Sequence, residues 1–163
     1  MPNYNPDNQL AATIKDLSDR IGAMETHPPN IFQSIVGTAE STSSSTLTDL
    51  ATVGPTVTCN IGVSGSALIS ISAYLGINPF TAGVNAGGYI SVSVDGVPPY
   101  NYMANIISFT VSPPVSIGVA ANNAASVVIT GLPQGSHTFQ MKYQTLNGST
   151  VYFARRFIQI QPL

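Results

Sequence analysis

Charge is scarce in this sequence. Five Lys+Arg and seven Asp+Glu among 163 residues make 7%, where globular domains carry about 25%. Five cations under a net charge of -2 are too few to neutralise a phosphate backbone, which argues against nucleic acid as a partner. Long apolar runs are missing too. Ser, Thr, Asn and Gly interrupt every apolar stretch well short of the ~18 residues of a spanning helix, so no membrane insertion is expected. The opening MPNYNPDNQL has neither a basic start nor an apolar stretch, so no secretory signal is expected there. A single cysteine, Cys59, excludes an intrachain disulfide framework and a cysteine-rich zinc site. Disorder pairs low hydrophobicity with high net charge; 44% apolar residues with a small net charge do not fit it.

The charges that exist are unevenly placed. Asp7, Lys15, Asp16, Asp19, Arg20, Glu25, Glu40 and Asp49 come first. From Leu50 to Met141 only Asp95 is charged, and Lys142, Arg155 and Arg156 complete the set.

The first of these regions reads as a helix. Leu10, Ile14, Leu17, Ile21 and Met24 form a heptad seam, with Ile14 and Ile21 at a and Leu10, Leu17 and Met24 at d. Asp7 or Asn8 can cap its start, and His27-Pro28-Pro29 ends it because proline cannot continue a helix. Arg20 falls at g and Glu25 at the following e, the spacing of interchain ion pairs in parallel coiled coils. Residues 1–27 are therefore expected to be a helical stem or anchor, and 28–30 a proline-rich spacer with extended geometry. A helix docked on its own domain is the alternative, since so short a helix is marginal alone. Ile at a with Leu at d favours dimers in principle, but two heptads leave the copy number to the attached domain.

From Ile31 onward the pattern is strand and turn. Val57, Cys59, Ile61 and Val63 alternate with Thr58, Asn60 and Gly62, a period of two with one buried face. Ile69, Ile71 and Ala73 alternate with serines, as do Ile90, Val92 and Val94; Phe139, Met141 and Tyr143 alternate with Thr138, Gln140 and Lys142. Turn signals separate the runs, the strongest being Asn147-Gly148, which suits a two-residue type I′ hairpin. Roughly eight strands are expected, from runs near 33–39, 56–63, 67–75, 88–95, 105–111, 115–120, 126–131, 136–146 and 150–161. The stretch 38–46 reads as a polar edge segment. Short strands with frequent turns predict a mainly β chain: an antiparallel β-sandwich or jelly-roll head over 31–163, with the short N-terminal α-helical, coiled-coil stem before it. Its outward positions are Ser, Thr, Asn and Gln, whereas lone β domains guard their surfaces with charge. The charge-poor surface suggests cover by copies of the same chain; a monomeric sandwich kept soluble by hydroxyls and amides is the alternative. The run Tyr152, Phe153, Phe157, Ile158 and Ile160 is apolar on both faces, as in a central strand or a subunit contact.

Catalytic chemistry needs a nucleophile with a base, paired carboxylates, or metal ligands. A Ser-His-Asp arrangement would have to use His137 with Asp95, and no G-x-S-x-G elbow accompanies them. No His, Asp or Glu of the β region stands at metal-ligand spacing, so neither enzymatic activity nor a cofactor or metal is expected. Cys59, on the apolar face with Val57 and Ile61, reads as a small buried hydrophobe. Arg155 and Arg156 are adjacent on a strand and point to opposite faces. The one facing inward needs a partner, and Asp95, the only carboxylate after Asp49, is the expected one. His27 reads as surface beside the prolines. The loop 97–105 gathers Tyr100, Asn101, Tyr102 and Asn105, residue types that recognition loops use; packing within an assembly and stacking on a host-surface glycan are both open to it.

Taken together, LAATIKDLSDRIGAMETHPP, LTDLATVGPTVTCNIGVSGSALISISA, GGYISVSVDG and GLPQGSHTFQMKYQTLNGSTVYFARRFIQIQP resemble small virion proteins of tailed phages that infect actinobacteria: minor tail, head-fibre or capsid-decoration proteins. The resemblance covers nearly the whole chain. It implies a non-enzymatic homotrimer whose β head looks like the tumour-necrosis-factor or complement-type jelly roll, exposed on the virion surface after assembly in the host cytoplasm. The partners it implies are the chain itself and the major capsid protein or tail components. A capsid decoration or head spike would dock through its N-terminal segment, whereas a minor tail protein would display a host-binding tip. The absence of a shaft repeat leans towards the capsid.

Overall fold

A computed structural model describes residues 6–26, 30–77, 85–97, 106–111 and 118–163. Two units cluster separately along the chain, Met1–Asn30 and Ile31–Leu163.

The first unit holds α1 (Pro6–Thr26). Pro6 suits the first turn, where its missing N–H has no intrahelical role. Lys15 Nζ donates to Asp19 at 2.7 Å and Arg20 lies 3.9 Å from Asp16, i,i+4 pairs that add a few tenths of a kcal/mol each. Leu10, Ile14, Leu17 and Ile21 are 49% to 61% exposed in the single chain, so the apolar seam meets solvent.

The second unit is a sandwich of antiparallel strands: β1 (Phe32–Val36), β2 (Glu40–Thr42), β3 (Thr56–Ile61), β4 (Ala67–Ile77), β5 (Ala86–Val94), β6 (Ile107–Val111), β7 (Val119–Ile129), β8 (Gly135–Leu146) and β9 (Val151–Pro162). One sheet runs β1-β9-β4-β7, with short β2 also paired to β9; the other runs β3-β8-β5-β6. A five-stranded and a four-stranded sheet whose successive strands mostly change sheet make a jelly roll. Among these strands only β5 and β6 are neighbours both in sequence and in a sheet. Alternation supplies the core, as period two requires. Val57, Cys59 and Ile61, then Ile69, Ile71, Ala73 and Leu75, then Phe139, Met141 and Tyr143 are all buried.

The Asn147-Gly148 turn forms, with φ values of 53° and 67° and Ser149 N donating to Leu146 O at 3.1 Å. The strands it joins are nevertheless not a hairpin. β8 pairs with β3 and β5, and β9 with β1, β2 and β4. Their buried faces meet across the core, where the Tyr143 and Phe153 rings stand 5.0 Å apart at 52°. Turn chemistry sets the reversal; the apolar faces of two long strands decide that they stack instead of pairing. The expected runs 115–120 and 126–131 also merge. β7 is one strand with an unbroken ladder to β4 from Ala67↔Ile129 to Ile77↔Val119. Its Ala120–Ala125 stretch has poor strand propensity, which the ladder to a central neighbour overrides.

β9 carries the irregularity that matters most. Ser72 opposes Phe157 and Tyr74 opposes Ala154, so Arg155 and Arg156 together face Ala73. This β-bulge has Arg155 at φ 49°, a left-handed conformation that few side chains adopt. One extra residue flips the faces beyond it. Val151 and Phe153 point into the core before the bulge, and Arg156, Ile158 and Ile160 after it.

Candidate functional site

The bulge drives Arg156 inward, where it is fully buried, while Arg155 stays exposed. Arg156 Nη2 donates to Glu40 Oε2 at 3.0 Å and to Thr38 O at 3.2 Å, and Nη1 to Thr52 O at 3.4 Å. Its Cζ stands 5.5 Å from the centre of the Tyr143 ring, a cation–π contact. Glu40 Oε1 accepts from Thr52 N at 2.9 Å and from Thr52 Oγ1 at 2.6 Å. The Thr52 hydroxyl, then its amide, then Arg156 hold the Glu40 carboxyl below its usual range. Burial pushes the Tyr143 phenol above its own. The cluster ties β2 and β9 to the 44–55 segment, which covers the free edge of β8. Thr145 N donates to Ser44 O at 2.7 Å, Thr48 and Tyr143 exchange bonds at 2.9 and 3.0 Å, and Met141 N donates to Pro55 O at 3.2 Å.

The expected pairing of Asp95 with Arg155 or Arg156 is therefore corrected within the chain. Asp95 opens the turn after β5, at φ 53° before Gly96 at φ 74°. Its Oδ1 accepts from Thr138 N at 2.8 Å and its Oδ2 lies 2.7 Å from His137 Nδ1. The β5–β8 register, which sets Val94 opposite Phe139, brings them together at one end of the sheet, away from the bulge in the other sheet. His137 Nε2 stands 2.8 Å from Pro133 O. A carbonyl can only accept, so Nε2 carries a hydrogen. With a carboxylate on the other nitrogen, the buried ring suits an imidazolium. The Asp95 hydrogen bond, then the Pro133 carbonyl, raise its pKa above the usual 6.5. The Thr138 amide, then His137, lower that of Asp95. His137 and Asp95 thus form the dyad that an acyl-transfer triad would use, but the nitrogen that would activate a serine faces a backbone carbonyl. The arrangement clamps the β5 turn to the start of β8.

Cys59 is buried and its thiol pKa is raised by burial, the behaviour of an inert hydrophobe. Among the described residues no three His, Cys, Asp or Glu side chains group as metal ligands, and no helix is long and apolar enough to cross a membrane. The seam residues Leu10, Ile14, Leu17 and Ile21 share one face of α1, with Arg20 beside them. Of Met24 and Glu25 only the helical backbone is described, and His27, Tyr100, Asn101, Tyr102 and Asn105 lie outside the described residues. One partnership, Glu40 with Arg156, carries no signal in the sequence. Glu40 sits in a Ser/Thr-rich segment with no sign of a buried partner, and only the bulge decides which arginine turns inward. The signal for Asp95 with His137 was present in two turn-flanking polar residues, but their approach depends on strand pairing.

No family model and no curated protein sequence matches the chain. Solved structures are similar in fold. Eiger TNF from S. frugiperda matches at 12% identity over 84% of this chain and 94% of that one, with a TM-score of 0.46. The globular domain of zebrafish complement 1qA protein matches at 12% over 83% and 98%, TM-score 0.43. Infectious bursal disease virus, Gx strain, matches at 14% over 83% and 33%, TM-score 0.36.

Proposed function

We propose that this chain is a non-enzymatic structural protein of a phage virion surface: a homotrimeric capsid decoration or head spike. Its α1 segments zip together, and its jelly-roll heads stand out from the particle. The observation that carries this reading is the helical seam. Four large apolar side chains on one face of α1 are about half exposed or more in the single chain, while the other described positions of the helix are polar or small. Burying such a side chain recovers about 1.5 kcal/mol or more, and a partner surface offers that burial to a helix whose stability comes mostly from packing its apolar face. The head supports the reading through its near absence of charge, and the sequence resemblance to phage virion proteins supplies the setting. In that setting the major capsid protein is the docking partner. Each head makes weak contacts that gain strength from being presented three at a time.

The alternative is the same trimer placed on the tail, as a minor tail protein that recognises host-surface glycans. Imaging particles purified with and without the protein tests both. Density lost from capsid faces or vertices supports the decoration role, density lost from the tail supports the alternative, and unchanged particles overturn the virion reading.

A further inference from the structure

The outer face of the β1-β9-β4-β7 sheet is nearly free of charge. β4 contributes Leu68, Ser70, Ser72 and Tyr74, and β7 contributes Ser126, Ala124 and Asn122 directly opposite the last three. Into this neutral surface the bulge delivers one cation. Arg155 is exposed, and it is the only Lys or Arg among the described residues without an ion pair: Lys15, Arg20, Lys142 and Arg156 each have a carboxylate. Its left-handed φ of 49° costs about 1–2 kcal/mol for a residue that is neither Gly nor Asn. Backbone irregularities of this kind re-aim side chains beside binding sites.

Arg155 borders a depression of about 230 Å³ that is also lined by Ser72, Tyr74, Asn122 and Asn123. Tyr74 is shared with a second depression of about 170 Å³, walled on its other side by Tyr152. Gly76 makes room there: a Cβ at that position would stand 2.7 Å from two ring carbons of Tyr152.

We propose that this face is a binding site for a carboxylated saccharide. The Arg155 guanidinium takes the carboxylate in its planar fork. The Asn122 amide and Ser72 hydroxyl bond ring hydroxyls, and the two tyrosines offer apolar ring surface to the sugar's C–H faces. A peptide carboxylate would need only the charge, whereas an amide and a hydroxyl beside flanking aromatic rings match a polyhydroxylated ring. Both depressions are shallow, so a single site binds weakly and repeated display makes the contact useful. The inference rests on the head alone and does not depend on the virion reading.

The test is titration of the full ¹⁵N-labelled chain with N-acetylneuraminic acid and glucuronic acid, using galactose, glucose and inorganic phosphate as controls. The acidic sugars should give saturable amide shifts at residues 72–74, 122–124 and 155. Arg155→Gly keeps the left-handed backbone and removes the cation. It should weaken binding about tenfold or more, the loss of one charge-assisted pair, with an unchanged or higher melting temperature. Tyr74→Ala should weaken it as well. No saturable shift, equal shifts from galactose or from phosphate, or undiminished binding by Arg155→Gly would each overturn the proposal. So would a fall in oligomer mass caused by Arg155→Gly, since the arginine would then face a second copy.

Discussion

Glu40→Ala removes the only carboxylate that reaches the buried Arg156 guanidinium among the described residues. Arg156 would keep two carbonyl acceptors, Thr38 O at 3.2 Å and Thr52 O at 3.4 Å, and the Tyr143 ring at 5.5 Å. None of these balances its charge. Breaking a buried pair so that one ion is left uncompensated costs about 3–5 kcal/mol. The remaining carbonyls put the Arg156 loss near the lower end, about 3 kcal/mol, or roughly 10 °C in melting temperature for a head of this size. Arg156→Met should behave differently. The Glu40 carboxylate keeps both Thr52 donors, at 2.9 and 2.6 Å, and the new side chain packs on Tyr143. The Glu40 side chain is 14% exposed against 0% for Arg156, so the ion left behind is partly hydrated and the loss should be smaller than that of Glu40→Ala. The double variant should follow Arg156→Met and not the sum, because the two residues form one network. With no tryptophan in the chain, urea unfolding is best followed by circular dichroism, at one fixed protein concentration because assembly contributes to stability. Glu40→Ala within about 1 kcal/mol of the parent, or Arg156→Met at least as costly as Glu40→Ala, would refute the reasoning.

The Asp95–His137 clamp gives stability a pH window. His137 has its folded pKa raised above 6.5, so its contribution is complete below 6.5 and lost as pH rises through the folded value. Asp95 has its folded pKa lowered from 3.8, so its contribution is complete above 3.8 and lost as pH falls through the folded value. Urea midpoints measured across pH should decline on both sides, and Asp95→Asn should flatten the alkaline limb. Gly54→Ala should cost about 1–3 kcal/mol by denaturant unfolding, because its Cβ would stand 2.7 Å from Met141 O and 2.8 Å from Tyr143 Oη. Leu17→Asp, on the exposed seam, should lower the oligomer mass while the strand signal in circular dichroism and the head's melting transition persist.

Strand faces were legible wherever a strand keeps a strict period of two. Val57, Cys59 and Ile61 mark the same inner face in sequence and in space. The fold class followed from those faces and the turn spacing. Pairing partners were less legible, because a turn such as Asn147-Gly148 specifies a reversal but not whether the chain stays in the sheet. The bulge at Arg155 was hidden for a similar reason. Alternation places one arginine inward and one outward, and only the inserted residue, seen against Ser72 and Tyr74, decides which. Glu40 could not have been matched to Arg156 from spacing, since more than a hundred positions separate them and no local pattern links them. Asp95 and His137 are visible as polar residues at strand ends, yet their pairing is a consequence of β5–β8 register.

Self-association through the α1 seam is the central claim, and light scattering on the full chain tests it most directly. A trimer should report about three times 17.0 kDa across a range of concentrations. A stable, soluble species at 17.0 kDa, with the seam open to solvent, would contradict it.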